Sequence, residues 1–154
     1  MKVRRLAKSY GIQTNKSLLS LQSVKQLFPP QHIEDHTYFD DELQRRYVKQ
    51  CFCVFATKNK AIGIEDGAMR KAVYKMTAEQ KRMLIEIFES DKVAPMTTSS
   101  AEGSRRIGQL VIELPQSAEY KVWVEFKYSD TMLTVHAYPD GRRDLKREAV
   151  VQYH

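Results

Sequence analysis

The chain of 154 residues has little of what marks a secreted or membrane-spanning protein. Its only two cysteines, Cys51 and Cys53, would project from the same face of a strand, which is a poor geometry for a disulfide. No apolar run approaches the roughly 20 residues that a membrane helix needs. The basic start, MKVRRLAKSYG, is not followed by the apolar segment of a secretory signal. We therefore expect reduced thiols, no membrane contact and a cytoplasmic location.

Composition is ordinary for a globular domain, with 42% apolar and 29% charged residues. The net charge is +6, but lysine and arginine are spread over the whole length. Such a diffuse excess favours solubility and weak attraction to anions more than specific nucleic-acid binding. We predict one domain over residues 1–154, because a chain of this size buries a core of its own.

What the sequence does contain is alternation of apolar and polar residues with a period of two, the pattern of half-buried strands. The clearest example is VWVEFKY, residues 122–128, followed by a Ser-Asp-Thr turn and the run MLTVHA. Two such runs joined by a short turn predict a β-hairpin. One face of the first run carries Val122, Val124, Phe126 and Tyr128.

Similar runs bounded by turn signals predict a series of short strands. They cover 3–14, 47–56, 68–77, 81–89, 105–114, 120–128 and 132–138, with a last strand or short helix over 145–153. The apolar stripe over 17–28 predicts one helix, which Pro29-Pro30 would end, and a polar loop follows over 31–42. The fold class is therefore mainly β: an antiparallel β-sandwich with a short helix in an insertion over 15–46 after the first strand.

Five blocks of this series resemble, in order and spacing, a known family. They are SYGIQT, KNKAIGIEDGAMRKAVYKMT, MLIEIFESDK, RRIGQLVIELP and VEFKYSDTMLTVHA, spread over residues 9–137. The series is similar to the substrate-binding β-sandwich of the seventy-kilodalton heat-shock chaperones, in their atypical, insertion-bearing branch. Two departures are the long insertion and the Asp-Thr in place of the family's Asn-Gly at the hairpin. No counterpart of that family's ATPase domain or helical lid is found in the sequence.

The resemblance implies a chaperone-type module without a cofactor, which holds extended apolar segments of unfolded polypeptides in a cleft. Main-chain hydrogen bonds and an apolar pocket would recognise the peptide, with Met83 in the central pocket. It also implies a separate or missing ATPase domain as a partner. The substrate-binding positions that the resemblance assigns are Ile12, Thr14, Tyr74, Thr77, Met83, Ile85 and Val122. The plainer alternative is that inward aliphatic residues of this kind are core.

Other constellations leave further alternatives open. His32, His36, Cys51 and Cys53 could supply four zinc ligands, but Cys-x-Cys is not the usual knuckle spacing. Basic clusters accompany the single tryptophan, so the main alternative function is a basic β domain that binds nucleic acid or an acidic protein surface. The clusters are Arg105-Arg106, Arg142-Arg143 and Lys146-Arg147, with Trp123 as the tryptophan. No paired base and nucleophile is found, so we expect no enzymatic activity.

Overall fold

The computed structural model describes residues 3–14, 19–20, 29–41, 44–49, 51–63, 68–74, 80–100, 103–115 and 121–152. The elements within these ranges are β1 Val3–Arg5, β2 Ser9–Thr14, β3 Leu19–Ser20, α1 Pro30–His36, β4 Thr37–Asp40, β5 Arg45–Val48, β6 Cys53–Ala56, β7 Ala61–Gly63, β8 Ala68–Tyr74, β9 Arg82–Ser90, β10 Ser104–Glu113, β11 Lys121–Tyr128, β12 Met132–Pro139, a 3₁₀ turn Arg143–Leu145 and β13 Arg147–Gln152. The helices in these ranges are too short and too polar to traverse a lipid bilayer.

Two four-stranded antiparallel sheets form the body of the protein. Sheet 1 has the strand order β10-β9-β2-β6, and sheet 2 has the order β13-β12-β11-β8. The predicted hairpin is the pair β11–β12, in which Val124 faces Ala137 and Phe126 faces Val135. The predicted mainly-β antiparallel sandwich is thus confirmed.

The core lies between the two sheets and consists of the inward side chains of the alternating runs. Phe55 of β6 stacks on Phe126 of β11 with ring centroids 4.4 Å apart. The hydroxyl of Tyr128 donates a hydrogen bond of 3.2 Å to the Phe55 carbonyl oxygen. At the sides, β10 lies next to β13 and β6 next to β8. Through these contacts the two sheets pack face to face, and the inward aliphatic residues of both sheets are buried between them.

The insertion differs from its prediction. Its helix α1 begins at Pro30 rather than ending there, because the fixed φ of proline suits the first helical turn. Residues 31–42, predicted to be a loop, contain most of this helix and β4. Within the predicted helix 17–28, Leu19–Ser20 forms a strand, and the other positions lie outside the described residues. β3, β5 and β4 make a separate three-stranded sheet, and outside the insertion β1 pairs with β7 in a two-stranded sheet.

A second, small apolar cluster joins the insertion to the sandwich. Val48 and Cys51 are its buried members, with Ile33 of α1 and Met96 packed against them. The backbone N–H of Phe52 donates to the Met96 carbonyl over 2.9 Å. The insertion is therefore held on the segment 95–98, which crosses from β9 toward β10.

Candidate functional site

Strand pairing shows where the structure places the predicted substrate-binding residues of sheet 1. Thr14 is the last residue of β2 and faces Ile85 of β9. Met83, near the start of β9, faces Ile112 of β10. Ile12 lies further inside the sheet. Thr14 and Met83 therefore mark the end of sheet 1 at which β2 ends and β9 begins.

In sheet 2, Tyr74 is the last residue of β8 and faces Lys121. Val122, the second residue of β11, faces Val73 on one side and Pro139 on the other. Both lie at the end of sheet 2 remote from Tyr128, the residue that bonds to β6 of sheet 1. The two sheets thus bring Thr14, Tyr74, Met83 and Val122 to one end of the sandwich, the Thr14 end. Thr77 lies outside the described residues.

The predicted site residues whose burial is described are almost fully enclosed. Ile12, Met83, Ile85 and Val122 have no exposed surface, and all belong to the inter-sheet core. Thr14 is 5% exposed. In this conformation the four aliphatic side chains offer no surface to a ligand. Their assignment to a peptide cleft stays a prediction, and it requires the Thr14 end to open.

An open groove of about 460 Å³ lies beside this end, on the outer face of sheet 1. Its apolar floor is a cross-strand pair, Leu84 of β9 and Val111 of β10, which are 43% and 47% exposed. The residues that line the groove are Gln13, Thr14, Gln80, Arg82, Leu84, Glu86 and Val111. Thr14 is the only predicted site residue among these lining residues.

Two ion pairs border the floor of the groove. Arg82 Nε lies 3.2 Å from Glu113 Oε1, and Arg106 Nη1 lies 3.3 Å from Glu86 Oε2. Each pair joins β9 to β10, one on either side of the apolar pair along the strands. Two positive and two negative charges cancel, so the groove carries no net charge from these four residues.

Sequence reasoning missed the apolar pair in the groove, although a signal for it exists. In β9 the inward residues Met83 and Ile85 flank Leu84, and in β10 Leu110 and Ile112 flank Val111. An aliphatic residue at an outward position in each of two neighbouring strands breaks the apolar–polar alternation. Because the two breaks meet across the sheet, they produce one exposed apolar spot rather than two scattered ones.

The four candidate zinc ligands are engaged differently. The rings of His32 and His36 lie 4.5 Å apart, and His32 Nε2 donates to the Lys49 carbonyl over 2.9 Å. Cys51 Sγ donates to the Val48 carbonyl. Burial raises the pKa of the Cys53 thiol, which disfavours the thiolate that zinc requires. Within the described ranges, histidine, cysteine and acidic side chains form no group of three or more that could hold a metal ion.

Several cations of the basic clusters form ion pairs with carboxylates of the same chain. Arg105 pairs with the buried carboxylate of Glu89, and Arg106 pairs with Glu86. Arg142 binds both carboxylate oxygens of Asp144, at 3.0 and 2.9 Å, and thereby lowers the pKa of that carboxyl group. Ion pairing therefore neutralises three of the six cations in these clusters, namely Arg105, Arg106 and Arg142.

Comparison with protein-family models and with curated protein sequences gives no match from which a function could be transferred. No protein-family model matches the chain, and no curated protein sequence matches it.

Proposed function

We propose that the chain is a chaperone-type peptide-binding module that holds extended apolar segments of unfolded polypeptides. The five sequence blocks that resemble the chaperone family fall in order on β2, on β7 and β8, on β9, on β10 and on the hairpin β11–β12. Turns between the blocks separate strands, so the resemblance is consistent with the strand order along the chain. This agreement supports the proposal and makes the Thr14 end the place to look for a ligand.

The groove on sheet 1 is the observation that carries the proposal. Its volume of about 460 Å³ lies within the range typical of ligand sites, about 300–1,000 Å³. Leu84 and Val111 offer an aliphatic surface to a side chain of the peptide. Gln13 and Gln80 also line the groove. Their carboxamides already bond to Glu86, to Thr98 and to the Arg82 carbonyl, so a peptide backbone would have to exchange with these partners.

Charge favours an apolar segment over a charged one. The four charged residues around the floor form two ion pairs, and a charged peptide side chain would have to compete with them. An aliphatic side chain has no such competition. Burying one leucine on this floor contributes about 1.5–3 kcal/mol at full burial, so a single contact of this kind gives weak binding.

Exchange of the bound peptide should accordingly be fast. In this proposal the ATPase domain implied by the resemblance is separate or missing. A separate ATPase domain would be the partner that regulates peptide binding. We also propose a cytoplasmic location, because both cysteines are free thiols and such thiols persist in a reducing compartment.

Fluorescence anisotropy of a labelled, extended peptide of neutral and aliphatic residues tests the proposal. Val111→Asp and Leu84→Asp should each weaken binding at least about tenfold, because each variant removes an apolar contact and adds a charge. Val150→Asp is the matched control, since Val150 is a 53% exposed valine on β13, at the edge of the other sheet.

Two outcomes distinguish failure of the proposed function from failure of the groove as its binding site. A wild-type chain that binds no apolar peptide would reject the chaperone function. Binding that survives both groove substitutions unchanged would reject the groove as the site, while the function itself would stand.

A further inference from the structure

A cluster of aromatic rings and cations lies on the outer face of sheet 2, away from the groove. Trp123 of β11 faces Tyr138 of β12 across the sheet. Arg70 of β8, Lys121 of β11 and Arg143 of the 3₁₀ turn surround the two rings. These five residues are called the Trp123 patch below.

Each of the three cations lies close to one of the two aromatic rings. Arg70 Cζ lies 3.7 Å and Lys121 Nζ 4.8 Å from the centroid of Trp123, and Arg143 Cζ lies 4.7 Å from the centroid of Tyr138. Each distance is within the roughly 6 Å of a cation–π contact. Trp123 Nε1 also donates to Asp140 Oδ1 over 2.9 Å, which fixes the indole ring.

The three cations of the patch differ in their acidic partners. Arg70 Nε lies 3.8 Å from Glu125 Oε1, and the same carboxylate oxygen accepts a 2.7 Å hydrogen bond from the Tyr138 hydroxyl. Arg143 donates to that hydroxyl over 3.1 Å. Among the described residues, neither Lys121 nor Arg143 has a carboxylate partner. Both therefore keep N–H donors that no described carboxylate occupies and that an anion can bind.

The neighbouring Arg142, unlike Arg143, is neutralised by a carboxylate. Its guanidinium binds the Asp144 carboxylate through two atoms, whereas Arg143 is held against Tyr138. Adjacent residues of the same type thus have different roles. The basic cluster seen in the sequence contributes one directed cation to the patch rather than two.

We propose that the Trp123 patch binds an acidic, extended segment of a partner polypeptide, with Lys121 and Arg143 donating hydrogen bonds to its carboxylates. Hydrogen bonds between ionised groups are about twice as strong as neutral ones. Single-stranded nucleic acid fits less well, because binding it normally requires a free aromatic face for base stacking. Two cations already occupy positions close to the indole ring. The proposal is independent of the peptide groove, which lies on the other sheet.

Trp123 is the only tryptophan of the chain, so its fluorescence reports binding at the patch itself. An unstructured glutamate-rich peptide is titrated into the full chain at low ionic strength. We expect a saturable change in emission that is reversed by salt. Lys121→Gln and Arg143→Gln should each weaken binding about tenfold, the effect of losing one charge-assisted hydrogen bond.

Two neutralising variants serve as matched controls. Lys127 lies on the same face of β11 as Lys121, six residues and about 20 Å further along the strand. Lys127→Gln and Arg142→Gln should each change the affinity less than about twofold, since exposed or already paired charges contribute little.

Three outcomes would overturn the proposal. The first is the absence of any emission change with the acidic peptide. The second is an equal loss of affinity in the test and control variants, which would show that diffuse charge alone attracts the peptide. The third is a single-stranded oligonucleotide that binds more tightly than the peptide and depends on Lys121 and Arg143. Circular dichroism of each variant verifies that the sandwich is intact.

Discussion

Gly11 offers the sharpest test of the described packing, because the space for a side chain at this position is already filled. A Cβ atom on Gly11 would lie 2.1 Å from the carbonyl oxygen of Cys53 and 2.5 Å from Cε1 of Phe52. The oxygen belongs to the backbone of β6, which pairs with β2 at this point. Gly11→Ala therefore forces two paired strands apart.

The magnitude follows from the distances. Moving the Cβ–oxygen contact from 2.1 Å to 3.0 Å, the closest approach that real Cβ atoms show, needs about 0.9 Å of separation. A shift of that size breaks one or two backbone hydrogen bonds, each contributing about 1 kcal/mol. Overpacking against Phe52 adds about 1–3 kcal/mol. The free energy of unfolding should fall by about 2–5 kcal/mol.

Urea denaturation followed by Trp123 fluorescence measures this loss, and Gly108→Ala is the control. A Cβ atom on Gly108 would lie 3.5 Å from Ile87 Cδ1 and from Val151 Cγ2, which is ordinary van der Waals contact. Alanine there should leave the midpoint unchanged or raise it, because replacing glycine can stabilise by about 0.4–1 kcal/mol. With a urea slope of about 2 kcal/mol/M, Gly11→Ala should lower the midpoint by roughly 1–2.5 M. Equal midpoints for Gly11→Ala and wild type would refute the close approach of β6 to β2.

Three further predictions concern buried groups. Glu89 is 1% exposed and contacts two cations, so Glu89→Gln should lower the free energy of unfolding by about 1–3 kcal/mol. Asp91, whose side chain is 72% exposed, is the control, and Asp91→Asn should change that free energy by less than about 1 kcal/mol. Urea denaturation measures both. Burial raises the pKa of Cys53, so its alkylation, followed by mass spectrometry, should be slow when folded and fast in urea; fast alkylation of the folded chain would contradict its placement. Met83, with no exposed surface, should resist peroxide oxidation while the 36% exposed Met132 reacts, and comparable rates would show that the core opens.

Period-two alternation predicted the sandwich because every second residue of such a strand faces inward, and the sandwich buries the residues that face inward. Met83, Ile85 and Ile87 alternate with outward residues along β9, and the structure buries all three between the sheets. The insertion could not be predicted in the same way, because its strands are two to four residues long and too short to establish a period. There the proline pair was taken as a helix end, although proline equally suits a helix start.

The candidate site was only partly accessible to sequence reasoning. The resemblance placed Thr14 next to the groove, but it assigned the peptide contact to inward residues of the strands. The outward pair Leu84 and Val111 becomes one surface only when the register of β9 and β10 is known. Likewise, Arg142 and Arg143 are equivalent in the sequence, and only side-chain positions separate the ion-paired residue from the one held on a ring.

The free-energy cost of opening the Thr14 end favours the groove as the place where a peptide first binds. An open slot here means the Thr14 end with its four buried side chains exposed. Exposing Ile12, Met83, Ile85 and Val122 would cost about 1.5–3 kcal/mol for each side chain, about 6–12 kcal/mol in total. Whole domains are stable by only about 5–15 kcal/mol, so a fully open slot would be sparsely populated. A peptide that needs that state has its apparent affinity reduced by the same small fraction. Leu84 and Val111 are exposed without any rearrangement, so a peptide that binds there meets no such penalty.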